Sequence, residues 1–77
     1  MVKAYVLVGL VPGLESSALS QIRSVPGVLE VNLVFGNWDT IAIAEAKNLG
    51  ELGRLVINQI RGVQGVEDTA TLVQSDV

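Results

Sequence analysis

Gly36, Asn37, Trp38 and Asp39 stand in a row in this 77-residue chain and place its only Trp between an amide and an acid. A free amino acid needs an anion for its ammonium, donors for its carboxylate and an apolar wall for its side chain. Asp39 could supply the first, and the backbone N–H groups of Gly36 and Asn37, with a hydroxyl, the second. Trp38 or its neighbours could supply the third, and glycine lets a ligand approach the backbone closely. Thr40 enters the candidate set as the adjoining hydroxyl. The same four residues also suit a plain hairpin tip whose Trp packs on a neighbour, and side-chain chemistry alone leaves both readings open. Thr69 and Thr71 lie two apart, which puts both hydroxyls on one face of a strand. Alternating Thr is also ordinary strand composition.

Other chemistry finds no residues to carry it. Cys and His are absent, so a Ser or Cys nucleophile has no histidine base and the commonest zinc ligand is missing. Glu67 and Asp68 are adjacent in a predicted strand, so their side chains point to opposite faces and share neither a proton nor a metal ion. Ser16, Ser17 and Ser20 fall near a helix start, where solvent and local backbone bonding account for them. Gly9, Pro12 and Gly13 lack the spacing of a phosphate-binding fingerprint. No catalytic set, cofactor or metal is expected. The net charge is −3, with Lys3, Arg23, Lys47, Arg54 and Arg61 scattered along the chain, so direct nucleic-acid binding is not expected either.

The elements that must position the candidates follow from periodicity. Val2 to Val11 reads as a strand ended by Pro12-Gly13. Leu14, Ala18, Leu19, Ile22 and Val25 recur at helical spacing and predict a helix over 14–25, stopped by Pro26-Gly27. Val28 to Phe35 alternates, with Leu29, Val31, Leu33 and Phe35 on one side, and pairs in a hairpin with a strand from Thr40 to Ala46. Asn48 caps a second helix from Leu49 to about Arg61, with Leu49, Leu52, Val56 and Ile60 on its apolar side and Gly62 as the stop. Leu55 and Ile57 widen that side beyond the needs of one core. A last strand runs from Val66 to about Gln74, and Ser75, Asp76 and Val77 form a frayed tail.

Ile22-Arg23-Ser24-Val25-Pro26-Gly27-Val28 recurs as Ile60-Arg61-Gly62-Val63-Gln64-Gly65-Val66, each copy joining a helix end to a strand start. Two strand-helix-strand units around a hairpin make an α+β, ferredoxin-like βαββαβ fold of one domain: a four-stranded antiparallel sheet with both helices on one face. The other face looks too apolar for water. In the third strand it carries either Ile41 and Ile43 or Ala42, Ala44 and Ala46, and in the first strand neither face is polar. Apolar residues make up 49 % of the chain and charged ones 17 %, against an average of about 25 % charged. The expectation is a homodimer packed through its sheets, giving a dimeric α+β barrel. No apolar run approaches a membrane-spanning helix. No secretory signal precedes the first strand, which makes the cytoplasm the default location.

Nearly the whole chain resembles the effector-binding (RAM) domain of the Lrp/AsnC family of transcription regulators. Gly36-Asn37-Trp38-Asp39 is similar to that family's Gly-any-aromatic-Asp turn. Gly65-Val66 with Thr69 and Thr71 is similar to its Gly-Val and Thr-any-Thr pattern, and Pro26-Gly27-Val28 matches the equivalent junction after the first helix. The resemblance implies dimers made through the sheets, further assembly into rings or discs, and small effectors, chiefly amino acids, bound between subunits. It carries over Gly36, Trp38, Asp39, Thr69 and Thr71 as effector-site candidates, with Asn37 and Thr40 as neighbours. Family members usually carry an N-terminal helix-turn-helix. Here the first strand begins at about Val2, so the likeness is to stand-alone members, whose effect on transcription or amino-acid metabolism is indirect. A full-length relative of the family is then the expected protein partner, and a ligand-independent interaction subunit is the alternative.

Overall fold

The computed structural model describes residues 1–75, so Asp76 and Val77 of the expected frayed tail lie outside it. Strand β1 (Val2–Leu10) leads to helix α1 (Glu15–Arg23), then strands β2 (Val28–Leu33) and β3 (Thr40–Ala46). Helix α2 (Leu49–Arg54) continues directly into a π-helical stretch, Leu55–Ile60, before strand β4 (Val66–Val73). The strands form one antiparallel sheet in the order β2-β3-β1-β4. This is the ferredoxin-like arrangement the sequence predicts.

Alternation decides which residues meet the helices. Ala4, Val6, Val8 and Leu10 of β1 and Ala42 and Ala44 of β3 are buried against Ala18, Leu19, Ile22, Leu52, Val56 and Ile60. The small row of β3 therefore points inward, and Ile41 and Ile43 point outward. Register carries that outer face across the sheet: Ile41 lies opposite Leu7 and Leu7 opposite Ala70, while Ile43 lies opposite Tyr5 and Tyr5 opposite Leu72. The result is an apolar outer face, with Glu30 and Asn32 at its β2 margin.

The two copies of the repeat are two copies of one junction. Val25 N–H donates to Ile22 O and Val63 N–H to Ile60 O, and Val28 N–H donates to Val25 O and Val66 N–H to Val63 O, all at 3.1 Å. Gly27 and Gly65 hold φ of 98° and 103°, a region that disfavours a Cβ. Each glycine carbonyl then accepts from a strand at 2.8 Å, Gly27 O from Glu45 N–H and Gly65 O from Val11 N–H.

Three details depart from the sequence reading. Of the apolar side expected for β2 only Val31 is buried: Leu29 falls in the register slip between Val28 and Glu30, and Leu33 and Phe35, beyond it, are also exposed. Leu55 belongs to the core and not to a surplus apolar face, whereas Leu49 and Ile57 are exposed. The second helix changes its winding at Leu55, closing with an i→i+5 bond in which Arg61 N–H donates to Val56 O at 2.8 Å. Asn48 does cap this helix, its Oδ1 accepting from Glu51 N–H at 2.9 Å.

Candidate functional site

The turn candidates sit on the connection between β2 and β3, which Val34 N–H closes by donating to Asp39 O at 2.9 Å. Gly36 there has φ of 122°, with open space where a Cβ would stand, so backbone conformation and not crowding calls for glycine. Gly36 and Asn37 are exposed and Trp38 is half-buried. Asp39 ties the connection to β1 twice. Its N–H donates to Val8 O at 3.2 Å, and its carboxylate Oδ2 accepts from Leu10 N–H at 2.8 Å. That second bond falls where β1 shifts register against β4, between Gly9 and Leu10.

Thr40, next in sequence, is fully buried on the helix side of β3, and its hydroxyl has no hydrogen-bond partner among the described residues. A ligand in the turn could not reach that hydroxyl without opening the core. Thr69 and Thr71 lie opposite Val8 and Val6, on the same helix-facing side. Their hydroxyls do share one face. Thr40, Val8 and Thr69 form one row across the sheet, so Thr40 and Thr69 stand two strand spacings apart, about 10 Å.

Within one chain the candidates divide between two grooves. Asp39 lines a cavity of about 540 Å³ with Leu10, Glu15, Leu19, Leu33 and Phe35. Gly36, Asn37 and Trp38 do not line it. Thr69 and Thr71 line a separate cavity of about 320 Å³ between the second helix and β4, walled by Leu52, Val56, Ile57 and Val73. Three of the residues in these grooves escape the sequence reading. Phe35, expected as a strand residue, projects fully exposed from the β2 end. Gly53 belongs to no motif and Arg61 enters only as a member of the repeat, although Leu49, Gly53, Ile57 and Arg61 form an i+4 series that points to a shared helix side. Among the described residues no group of three His, Cys, Asp or Glu could hold a metal ion, and no helix is long and apolar enough to cross a membrane.

Comparison with known proteins gives one consistent likeness. Residues 3–76 match the Lrp/AsnC ligand binding domain. An uncharacterised HTH-type transcriptional regulator of Pyrococcus abyssi is 39 % identical over 62 residues, which cover 80 % of this chain and 41 % of that regulator. The chain thus spans about two fifths of the length of the curated relatives it matches. A crystal structure of a Thermus thermophilus protein superposes with a TM-score of 0.93 at 31 % identity, covering 100 % of this chain and 96 % of that one. A transcriptional regulator of Neisseria meningitidis, solved as an L-Met complex, shares the fold with a TM-score of 0.90 at 17 % identity, covering 97 % of this chain and 50 % of that one.

Proposed function

The chain belongs to the Lrp/AsnC ligand binding domain family, and from that premise we propose that it is an oligomeric regulatory module binding an amino-acid effector between subunits. The observation that carries the reading is the division of the candidate residues. Asp39, the anion for an ammonium group, and Thr69 with Thr71, the hydroxyls, line different grooves of one chain. A second copy offering its Asp39 connection to the threonine groove would assemble all the partners an amino acid requires. That the Neisseria regulator was solved with L-Met supports a small amino acid as the ligand class. The apolar outer face of Leu7, Ile41, Ile43 and Leu72 supports a homodimer through the sheets. Burial at about 25 cal/mol per Å² is the driving term, offset by the cost of association.

The module works by differential binding to assembled states and not by turnover. Its effect on transcription or amino-acid metabolism runs through a regulator of the same family, in the cytoplasm and without direct contact to nucleic acid. Calorimetric titration with the twenty amino acids tests the reading, with Asp39→Asn as the control. Asn keeps an acceptor for Leu10 N–H and removes the charge an ammonium would need. Binding abolished in Asp39→Asn supports the reading, and no binding at millimolar concentration removes it. The exposed Leu29, Leu33 and Phe35 favour a second reading, a ligand-independent subunit that co-assembles with a larger relative. Capture of such a regulator irrespective of added amino acids would select it.

A further inference from the structure

The groove between the second helix and β4 has a complete and different chemistry of its own. It is lined by the apolar Leu52, Val56, Ile57 and Val73 and by the polar Arg61, Thr69 and Thr71, and no carboxylate residue among the described residues lines it. Leu49, Ile57 and Val73, which line it, are 61 %, 58 % and 48 % exposed, so the single chain leaves apolar surface there to water. At about 320 Å³ it sits near the lower end of small-molecule sites, about 300 to 1,000 Å³.

The helix winding assembles these residues. In an α-helix a residue four places on overshoots its predecessor by about 40°, which would carry Arg61 progressively away from the line of Leu49, Gly53 and Ile57. An i→i+5 ladder holds more residues per turn, so the same step undershoots. Changing the winding at Leu55 brings Arg61 back over the groove. Gly53 keeps the space clear, since a Cβ there would meet no atom within 4 Å.

We infer that this groove, within a single chain, binds a short branched aliphatic carboxylate that carries no ammonium, a 2-oxo acid. Arg61 takes the carboxylate, a threonine hydroxyl donates to the keto oxygen, and the alkyl branch lies on Val56, Ile57 and Val73. An α-amino acid would bring an ammonium into a cleft whose one ionised group among the described residues is a cation. The inference shares Thr69 and Thr71 with the composite site but needs neither Asp39 nor a second copy.

Three ligands with one carbon skeleton test it on the whole chain by calorimetry: 4-methyl-2-oxopentanoate, 4-methylpentanoate and leucine. The oxo acid is expected to bind about tenfold more tightly than leucine, to lose about tenfold in Arg61→Gln, and not to be weakened by Asp39→Asn. Gly53→Leu should abolish binding while the melting temperature holds or rises, because leucine is a far better helix residue than glycine. Gly53→Ala should weaken binding with the same thermal behaviour. Leucine binding more tightly than the oxo acid, or oxo-acid affinity unchanged in Arg61→Gln or Gly53→Leu, overturns the inference. Asp39-dependent leucine binding would leave the composite site standing. Oxo-acid binding through Arg61 with no amino acid bound would overturn that composite reading alone.

Discussion

The Asp39 carboxylate has one use in the fold and a second in the proposed site, and substitutions separate them. Oδ2 holds Leu10 N–H at 2.8 Å, so Asp39→Ala leaves a partly buried donor without a partner and should cost about 1 kcal/mol, read as a lower urea midpoint. Asp39→Asn should fall well short of that loss, since its amide oxygen still accepts. A binding defect in Asp39→Asn therefore reports on charge and not on a loosened connection. Thr40 presents the opposite case. Its hydroxyl is buried and unpartnered among the described residues, so Thr40→Val, nearly the same shape without the oxygen, should raise stability by about 1 kcal/mol in the same measurement. Thr40 was legible as a hydroxyl beside the turn. Its direction was not, because Thr40, Ala42 and Ala44 form a row of small residues, and small residues suit either a close-packed helix or a close-packed second sheet.

At the scale of elements, the junctions after the two helices are the most constrained points of the chain. A Cβ on Gly65 would stand 2.9 Å from Leu14 Cβ and 3.3 Å from Ala18 Cβ, at a φ of +103°. Gly65→Ala should lower stability by about 2 kcal/mol, visible as a drop in melting temperature. Asn48→Ala removes the cap on Glu51 N–H and should cost about 1 kcal/mol by the same assay. These features could be read in advance because the cause is local: Gly27 and Gly65 recur in the repeat, and Asn48 precedes an apolar series at helical spacing. The π winding over Leu55–Ile60 could not. Leu52, Val56 and Ile60 fit a core-facing stripe under either winding, and only packing onto the sheet adds Leu55 to it. The exposure of Leu29, Leu33 and Phe35 was hidden for a related reason. Alternation puts them on one side of β2 with Val31 but does not show that Val31 is the one of the four that is buried. Thr69 and Thr71 were correctly paired on one face, while the groove they line depends on how the preceding helix packs back over the sheet.

The molecule as a whole measures 37 × 23 × 17 Å, a slab of one sheet and one helical layer. Its uncovered face sets a test of assembly: Ile43→Lys, placing a charge opposite Tyr5, should turn the proposed dimer into a monomer in sedimentation without unfolding it, since Ile43 faces away from the helices. Strand β1 occupies the middle of the sheet, bonded on one side to β3 and on the other to β4. It leaves the ribosome before either neighbour, and Tyr5 waits for Leu72 across most of the chain. Pairing so remote in sequence makes for slow folding. Until it is complete, a nascent segment bearing a single charge, Lys3, among nine residues is open to aggregation during synthesis, when chaperones would be needed most.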